Sequence, residues 1–506
     1  MTSTTNPLFD TLFRRHQESN KDFILFADGT RLSYRSFSEK TQKYAAIFDG
    51  LGIKKGDRVA FQLAKSVACL NIVAAAIQMG YIFLPLNPDY TTEEVLFFLK
   101  DSGARLFIGE EGNKATINAA KGLPHIEVQT VTIDGEGSLN SLENESSKVS
   151  KVMQCNENDI AALLYTSGTT GRSKGAMLTH KNLLSNARVL ETVWKFNSKD
   201  VLLHALPIFH THGLFVATNL VLLSGCSMLF LPKFDTEEII RLIGDATVMM
   251  GVPTFYTRLL KSGAFNKEKT KSVRLFISGS APLLSQTHKQ FEKKTGHKIL
   301  ERYGMTETNM NTSNPYYGRR KAGSVGKALP GVQIKIVDEH GDIVQNQNIG
   351  SIQVKGDNVF KGYWNLPDKT EEDFTADGFF KTGDIGFKDK SGYIEIVGRD
   401  KDLIISGGFN VYPKEIELVI DEIKGVLESA VIGVHHPDFG EGVVALVVKS
   451  GFYKLSKPDI HLNLARKLAK YKRPKEVIFI EKLPRNSMGK VQKNVLRDIY
   501  SRTFSK

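Results

Sequence analysis

The stretch DRVAFQLAKSVACLNIVAAAIQMGYIFLPLN (57–87) decides the fold class of this chain. It begins with a short apolar run, continues through a segment long enough for a helix, and ends in a second apolar run. The same alternation goes on through TTEEVLFFLKDSG (91–103) and RLFIG (105–109). Strands that alternate with helices form a mainly parallel sheet, because each connecting helix packs back on the sheet. We therefore predict an α/β fold with a mainly parallel sheet flanked by helices.

Further along the chain the pattern changes. A second α/β stretch follows the polar connection at 137–158 and runs to about residue 310. After Gly331, short alternating runs such as VQIKIVDEHGD are separated by Gly turns. This alternation with a period of two residues predicts a compact β region.

The last fifth of the chain reads as a separate small unit. Beyond GRDKD (398–402), a helical pattern is followed by two apolar strand patterns and a basic tail. We place the domain boundary at Lys401, which gives an N-terminal domain of residues 1–400 and a mobile α+β C-terminal domain of residues 401–506.

Composition excludes several classes of protein. The chain has 506 residues, of which 41% are hydrophobic and 24% charged, so it is neither a disordered nor a collagen-like chain. Its 3 cysteines are widely spaced and form no disulfide framework, which favours a reducing compartment. The N-terminus lacks the apolar core of a secretory signal. We expect a cytoplasmic protein, with an organellar matrix as the alternative because Arg14 and Arg15 lie among hydroxyl residues.

One uncharged stretch has the length of a membrane span. Residues 213–232 (GLFVATNLVLLSGCSMLFLP) carry no charge. Polar residues interrupt the stretch, and Ser224-Gly225 is typical of a helix end. We therefore predict a buried helix, a turn and a strand, and no stable membrane association.

The positive charge is concentrated in the tail. The chain has a formal net charge of +12, and residues 451–506 alone contain fifteen Lys and Arg against four Asp and Glu. Such a segment attracts nucleic acid, acidic lipid or a phosphorylated small molecule, and a solvated surface is the simpler explanation. Because the tail shows no aromatic interleaving, we do not expect a nucleic-acid partner.

A loop rich in glycine and hydroxyl groups points to the chemistry. YTSGTTGRSKG (165–175) follows an apolar strand pattern and precedes a second one, AMLT (176–179). Glycines let backbone N–H groups converge on an anion, hydroxyls donate further hydrogen bonds, and Lys174 supplies charge. The loop is therefore predicted to hold a polyphosphate. Its spacing is not that of a P-loop, because Gly175 follows the lysine and a strand rather than a helix comes next.

Six motifs in order resemble the adenylate-forming superfamily of acyl-CoA synthetases, peptide-synthetase adenylation domains and firefly luciferase. They are YTSGTTGRSKGAMLTH (165–180), SGSAP (278–282), YGMTET (303–308), FFKTGDIG (379–386), GRDKDLIISGGFNVYP (398–413) and PRNSMGK (484–490). The resemblance covers nearly the whole chain. It implies a large N-terminal domain with two mainly parallel sheets and a β-barrel, and a small C-terminal domain that rotates between two half-reactions.

The resemblance also implies a site for ATP and Mg²⁺. In the first half-reaction a carboxylate attacks the α-phosphorus and pyrophosphate leaves. Thr306 is expected at the α-phosphate, Glu307 at Mg²⁺, and Asp384 with Arg399 at the ribose. The other nucleotide-binding positions implied are Thr166, Ser167, Gly168, Thr169, Thr170, Gly171 and Lys174 at the phosphates, and Ser280, Ala281, Pro282, Tyr303 and Gly304 at the adenine.

The tail contains the residue expected to matter most for adenylation. By resemblance, Lys490 bridges the substrate carboxylate and the α-phosphate. Lys401 stands at the hinge of the C-terminal domain. For the second half-reaction, Ser406, Gly407 and Gly408 border the entry path of coenzyme A, and the basic tail attracts its phosphates.

Positive charge in the segments expected to line the acyl pocket suggests which acid is bound, because an apolar lining would be usual there. His210, Arg258 and Arg302 all fall in segments expected to shape the acyl pocket. A buried unpaired Arg is costly, so two of them favour a substrate with a second carboxylate, and ordinary salt bridges are the alternative. The segments HTHGLFVATN, GVPTFYTRLL and ERYGMTETNMNTSNPY are similar to the malonate-activating members of the superfamily. That similarity implies contacts to malonate from His210, Thr211, Arg258, Ser280, Arg302 and Met305.

The sequence therefore predicts ATP-dependent ligation of malonate to coenzyme A, with methylmalonate as an open second substrate. The nearest alternative keeps the chemistry and changes the acid to a short- or medium-chain fatty acid or a 4-coumarate-like aromatic. A carrier protein in place of coenzyme A, or a non-catalytic binder of nucleic acid or membranes, are further alternatives.

Overall fold

The computed structural model describes residues 5–132, 134–142, 151–166, 173–451, 453–486 and 489–505. Its strands are β1 (Asp22–Leu25), β2 (Arg31–Ser33), β3 (Arg58–Gln62), β4 (Ile82–Leu86), β5 (Leu106–Glu110), β6 (Glu127–Val131), β7 (Ile160–Thr166), β8 (Lys174–Thr179), β9 (Val201–His204), β10 (Ser227–Phe230), β11 (Val248–Gly251), β12 (Leu275–Ser278), β13 (Leu300–Met305), β14 (Asn309–Ser313), β15 (Lys327–Ala328), β16 (Gln333–Val337), β17 (Gly350–Lys355), β18 (Phe380–Lys388), β19 (Ile394–Arg399), β20 (Ile404–Ser406), β21 (Phe409–Val411), β22 (Val426–His436), β23 (Gly440–Lys449) and β24 (Glu476–Ile480).

The helices pack on both sides of the sheets. They are α1 (Pro7–Leu12), α2 (Tyr34–Gly50), α3 (Val67–Gln78), α4 (Thr92–Ser102), α5 (Lys114–Lys121), α6 (Ser138–Ser141), α7 (His180–Trp194), α8 (Asn219–Ser224), α9 (Thr236–Leu242), α10 (Pro253–Lys261), α11 (Ser285–Thr295), α12 (Pro367–Asp373), α13 (Pro413–Asp421), α14 (Lys457–Lys467) and α15 (Lys493–Tyr500), with a π-helix at His212–Thr218.

Two mainly parallel sheets form the centre of the fold, which confirms the predicted class. One has the strand order β6-β5-β3-β4-β7-β8, and only β8 runs antiparallel to its neighbour. The other has the order β15-β14-β13-β12-β11-β9-β10-β1-β2, with antiparallel pairs only at its two ends. Parallel strands present their carboxyl ends at one edge, where ligands of α/β proteins usually bind. The site described below is built largely at these edges.

The uncharged stretch 213–232 folds as predicted in outline. The π-helix and α8 are followed by a turn at Gly225, whose φ of +61° ends α8 in the left-handed region, and then by β10. Residues 213–231 are buried, and their apolar side chains belong to the main core. Among the described residues, no helix is long and apolar enough to cross a membrane.

The β region after Gly331 is a four-stranded antiparallel sheet in the order β16-β17-β18-β19. This differs from the β-barrel that the resemblance implied, because the described strands pair along an open path. A bridge between Gly326 and Ile394 connects this sheet to the chain leading out of β14. The consequence is that β18 and β19 carry Asp384 and Arg399 toward the large sheet.

The C-terminal part has a sheet and cores of its own. Its strands follow the order β21-β20-β23-β22, and β24 pairs in parallel with β23. The apolar clusters on the two faces of this sheet contain buried residues only from Ile404 to Leu496. The main cluster of the N-terminal part runs from Leu8 to Phe380. The two parts therefore stabilise themselves by separate burial of apolar surface.

Candidate active site

The loop predicted to hold phosphates connects the two antiparallel strands β7 and β8. Thr166 ends β7 and pairs with Lys174, which begins β8. The Thr166 hydroxyl donates to the Glu307 carboxylate at 3.3 Å. Ser167, Gly168, Thr169, Thr170 and Gly171 lie outside the described residues. The two described ends of the loop therefore place a hydroxyl beside Glu307 and an ammonium group beside Asp373.

A tyrosine that the sequence analysis missed completes this end of the site. The Tyr363 hydroxyl donates to Glu307 at 3.3 Å, and Lys174 Nζ lies 4.1 Å from the centre of the Tyr363 ring. Burial and the Glu307 carboxylate raise the pKa of Tyr363 far above its usual value, so the phenol stays protonated. Lys174 Nζ also lies 3.6 Å from the Asp373 carboxylate.

Asp384 is at the centre of the predicted ribose site. It is buried, and Arg399 Nε contacts its carboxylate at 2.7 Å across the β18–β19 pair. The Tyr303 hydroxyl donates to the other carboxylate oxygen. Asp384 raises the pKa of Arg399, so the guanidinium stays charged. An ionised carboxylate has about four acceptor positions, so Asp384 can accept further O–H donors such as ribose hydroxyls.

The segments expected at the adenine carry unusual backbone. Ser280 has a φ of +69°, a conformation that is uncommon for non-glycine residues. It is followed by Ala281 and Pro282 in an irregular segment after β12. A Cβ at Gly304 would lie 1.9 Å from the Asn309 carbonyl oxygen, so β13 and β14 can approach this closely only with glycine there. Thr306, half-buried, lies in the turn between these strands, one residue before Glu307.

Lys490 reaches into the site from the C-terminal part. The preceding Gly489 has a φ of +73°, and a Cβ there would lie 3.2 Å from the Thr254 hydroxyl of α10. Burial, with Arg399 nearby, lowers the pKa of Lys490 to about 8. The residue keeps accessible surface even though protein atoms crowd its amine, which is typical of a side chain in a cleft.

Arg302 is the most unusual charged group in the structure. Its side chain is 3% exposed, and its Nε and Nη2 atoms have no hydrogen-bond partner. No carboxylate among the described residues pairs with it, and burial lowers its pKa to about 9. A buried charge without a partner is costly, so such a group is expected to meet an anion that binds there.

Further unpaired polar atoms surround this guanidinium. The buried Thr211 Oγ1, His212 Nε2 and Ser278 Oγ atoms have no hydrogen-bond partner in the protein. The other ring nitrogen of His212 contacts the Ser280 hydroxyl at 3.2 Å. These atoms are donors or acceptors that a bound polar molecule can satisfy.

His210 connects this region electrostatically with Lys490. Burial, then Arg302 and Lys490, lower the pKa of His210 to about 4, so its ring is neutral at physiological pH. Its Nδ1 accepts a hydrogen bond from the His212 backbone at 3.4 Å. Met305, partly buried, packs against the main core at the end of β13. The acyl end and the nucleotide end are therefore neighbouring parts of one cleft.

Arg258 differs from the expectation that it faces inward as a buried group. It is exposed, and its guanidinium lies 5.6 Å from the centre of the Phe234 ring. It follows Thr254 by one helical turn on α10, so both lie on the same face of that helix. Thr254 lies near Gly489, so Arg258 is an exposed group on the face of α10 that is near this turn.

The remaining predicted positions lie where the two parts of the chain join. Lys401 is in a single 3₁₀ turn (Asp400–Asp402), and burial lowers its pKa. Ser406 is buried, whereas Gly407 and Gly408 form the turn between β20 and β21 with φ values of +60° and +81°. A Cβ at Gly407 would lie 3.1 Å from the Phe439 ring.

Comparisons with known proteins identify the family of the chain. A model of the AMP-binding enzyme family matches residues 13–364, and a model of the AMP-binding enzyme C-terminal domain matches residues 415–490. Malonate–CoA ligase of Arabidopsis thaliana is 34% identical over 549 residues, covering 97% of this chain and 88% of that protein. A long-chain-fatty-acid–CoA ligase of Bacillus subtilis (strain 168) is 32% identical over 500 residues, covering 92% and 89%.

A solved structure is more similar still. ATP-bound MatB from Rhodopseudomonas palustris is 50% identical and superposes with a TM-score of 0.96, covering 99% of this chain and 100% of that chain. The family models, the relatives and this structure confirm the resemblance inferred from the six motifs. The chain belongs to the AMP-binding enzyme family and is an AMP-forming acyl-CoA ligase, with ATP and coenzyme A as its substrates.

Proposed function

We propose that this ligase converts malonate, ATP and coenzyme A to malonyl-CoA, AMP and diphosphate through malonyl-adenylate. The observation that carries the proposal is the buried Arg302 guanidinium with two unpaired nitrogens. Malonate has a second carboxylate, which a guanidinium binds through paired N–H donors. Binding of that carboxylate satisfies a group that otherwise lies buried and unpaired.

A monocarboxylic acid fits this surrounding poorly. Its alkyl chain or ring would lie beside Arg302, Thr211 Oγ1 and His212 Nε2 and leave them unpaired. Leaving a buried charge without a partner costs several kcal/mol. An apolar substrate forms no hydrogen bond or ion pair with Arg302 that would offset this cost. The similarity to a malonate–CoA ligase supports the same choice of acid.

In the first half-reaction, the near carboxylate of malonate attacks the α-phosphorus of ATP, the bond to the β-phosphate oxygen breaks, and diphosphate leaves. Both reactants are anions, so the main tasks are neutralisation and alignment. Lys490 supplies the cation between them, and Thr306 donates to the α-phosphate. The loop from Thr166 to Lys174 holds the outer phosphates, and Asp384 holds the ribose.

Mg²⁺ fits this end of the site. Glu307 offers a buried carboxylate beside the Thr166 hydroxyl, and oxygen ligands are those that Mg²⁺ prefers. The described residues include no cluster of three or more His, Cys, Asp or Glu, which suits an ion held by one carboxylate and phosphate oxygens. The ion supplies charge neutralisation of the phosphates when bound.

In the second half-reaction, the thiolate of coenzyme A attacks the acyl carbonyl, AMP leaves, and the thiol proton passes to solvent. We propose that residues 401–506 rotate about Lys401 as one domain against residues 1–400, which withdraws Lys490 and brings Ser406, Gly407 and Gly408 to the thiol's path. The separate apolar cores of the two parts support movement as rigid bodies.

A panel of acids tests the proposed substrate. Diphosphate release is measured with and without coenzyme A for malonate, methylmalonate, acetate, hexanoate and 4-coumarate. We expect malonate to have the highest kcat/KM, and methylmalonate to differ by about 1–3 kcal/mol in transition-state binding because it adds one methyl group. A preference for hexanoate, acetate or 4-coumarate would overturn the choice of acid and leave the ligase chemistry intact.

Two arginine variants test which residue determines the choice of acid. Arg302→Met removes the buried guanidinium and keeps the volume, so the kcat/KM for malonate should fall by about a hundredfold or more while that for acetate does not fall. Arg258→Met, at an exposed position, should have a smaller effect on malonate because an exposed charge contributes less. Equal losses for malonate and acetate in Arg302→Met would contradict the role given to Arg302.

A further inference from the structure

A half-buried lysine outside the reacting groups contacts a buried histidine. Lys65 Nζ lies 3.1 Å from His204 Nδ1 and donates to the His204 carbonyl oxygen at 2.7 Å. It also lies 4.3 Å from the centre of the Phe230 ring. In the described part of the chain, Lys65 forms no ion pair with a carboxylate, and burial lowers its pKa well below that of an ordinary lysine. A lysine in such surroundings is retained against a desolvation cost.

The Lys65–His204 contact joins the two large sheets. Lys65 follows β3 of the six-stranded sheet, and His204 ends β9 of the nine-stranded sheet. The contact spans 139 positions of sequence at the carboxyl edges of both sheets. It therefore lies on the edge from which the active site is built.

The other ring nitrogen of His204 contacts the π-helix. Its Nε2 lies 3.0 Å from the Gly213 carbonyl oxygen and 3.2 Å from the Thr218 hydroxyl. Burial lowers the pKa of His204 far enough that the ring is neutral, so only one ring nitrogen carries a hydrogen. Because a carbonyl oxygen only accepts, Nε2 carries the hydrogen and donates, and Nδ1 accepts from Lys65.

The π-helix begins at the acyl end of the site. Its first residue is His212, which contacts the Ser280 hydroxyl through Nδ1 and leaves Nε2 unpaired, and it directly follows Thr211. The Thr218 hydroxyl also donates to the Gly213 carbonyl at 2.9 Å, so this one oxygen receives two side-chain donors. A Cβ at Gly213 would lie 1.9 Å from the Pro207 carbonyl, so the chain is tightly fixed at this point. Runs of π-helix are rare and are frequent at functional sites.

We propose that Lys65 and His204 are positioning residues of this ligase, which hold the start of the π-helix in register and thereby set the places of Thr211 and His212 at the acyl end. Neither side chain touches the reacting atoms. The structural observation is the chain of contacts Lys65–His204–Gly213, and the proposal does not depend on which acid is the substrate.

The proposal predicts a selective effect on the acid. In metal sites, removal of a group that orients a ligand typically costs about tenfold to a hundredfold in affinity, and we expect an effect of this size here. In Lys65→Met and His204→Leu, the KM for the acid should therefore rise by about tenfold or more, with the KM for ATP within about twofold of the wild-type value. The acid used is whichever the unmodified enzyme turns over best, so a wrong choice of malonate does not affect this test.

Two further variants separate positioning from general stability. His204→Gln can keep a donor toward the Gly213 carbonyl, so it should restore most of the acid KM even where it lowers the melting temperature. Lys40→Met makes the same chemical change to a lysine that lies over the Tyr44 ring in the cleft of about 510 Å³ that Lys65 lines, and it should leave both KM values unchanged.

The proposal is overturned if Lys65→Met raises the KM values for acid and ATP to the same extent, or lowers only the melting temperature. It is also overturned if His204→Gln is as impaired toward the acid as His204→Leu. Should His204→Leu fail to fold, Lys65→Met and His204→Gln decide the question by the same two comparisons.

Discussion

Gly279 lies directly against the guanidinium group of Arg302. A Cβ built on Gly279 would stand 2.3 Å from Arg302 Cζ and 2.5 Å from its Nε and Nη1 atoms. These distances are far inside van der Waals contact, so the arginine occupies its present place only because position 279 has no side chain. The backbone of Gly279 does not have a positive φ, so the demand for glycine here is purely one of space.

Gly279→Ala is expected to displace the Arg302 guanidinium without removing it. The kcat/KM for malonate should fall by about tenfold to a hundredfold, because paired N–H donors must be closely aligned with a carboxylate. The rate with acetate should change little. Diphosphate release with both acids measures this, and Gly263→Ala serves as the control because a Cβ there meets nothing within 4 Å. A variant that binds malonate normally would show that Arg302 can act from another position.

Arg302→Met should make the ligand-free protein at least as stable as the unmodified one. Removal of a buried, unpaired charge is worth about 1–4 kcal/mol in the free energy of unfolding. At a hundred times its Kd, malonate should stabilise the unmodified protein by about 2.7 kcal/mol in the free energy of unfolding and so raise its melting temperature. The melting temperature of the variant should not rise. Thermal unfolding with and without malonate measures both effects. A large destabilisation of the ligand-free variant would mean that Arg302 has a structural role instead.

Local signals in the sequence accounted for much of the fold. The alternation in residues 57–109 became β3, α3, β4, α4 and β5, because apolar periodicity and flanking turn residues act within a few positions. The two strands on either side of the phosphate loop were likewise predicted from apolar runs, whereas their antiparallel pairing was not. In residues 213–232 the helix end at Gly225 was predicted, but the π-helix was not, since its hydrogen bonds depend on tertiary contacts such as that from His204.

Contacts between residues far apart in the chain could not be predicted from the sequence. The Tyr363 hydroxyl reaches Glu307 across 56 positions, and no periodicity indicates such a pair. The same holds for the Lys65–His204 contact. Arg258 and Arg302 looked alike as charges near the acyl pocket, yet one is exposed on α10 and the other is 3% exposed on β13. Burial of this kind depends on how the sheets pack.

Lys401→Pro is expected to separate the two half-reactions. The turn at Asp400–Asp402 is closed by a hydrogen bond from Leu403 N to the Asp400 carbonyl at 3.0 Å, which a proline at position 401 leaves intact. Proline fixes φ near about −65°, which suits a 3₁₀ turn and prevents the torsion change that a hinge requires. A single turnover of diphosphate release should persist. The rate of thioester formation should fall by about a hundredfold or more, because this step requires the domain rotation. Retention of thioester formation would place the hinge elsewhere.

The pH dependence of adenylation should follow the charge of Lys490. Since its pKa is lowered to about 8 in the ligand-free protein, the charged form that neutralises the reacting anions is complete well below pH 8 and is lost as the pH rises through that value. The kcat/KM for ATP should therefore fall about tenfold per pH unit above 8, and the limb for kcat should lie at higher pH because bound phosphates favour the ammonium form.

Lys490→Arg tests this assignment, because a guanidinium stays charged over the whole range. Its residual rate of diphosphate release, measured from pH 7 to about 9.5, should lack the limb near pH 8 even though the altered reach lowers the rate itself. Saturating malonate keeps Arg302, whose own pKa is lowered to about 9, in its charged form throughout the measurement. A limb at the same pH in both proteins would mean that a group other than Lys490 controls the rate.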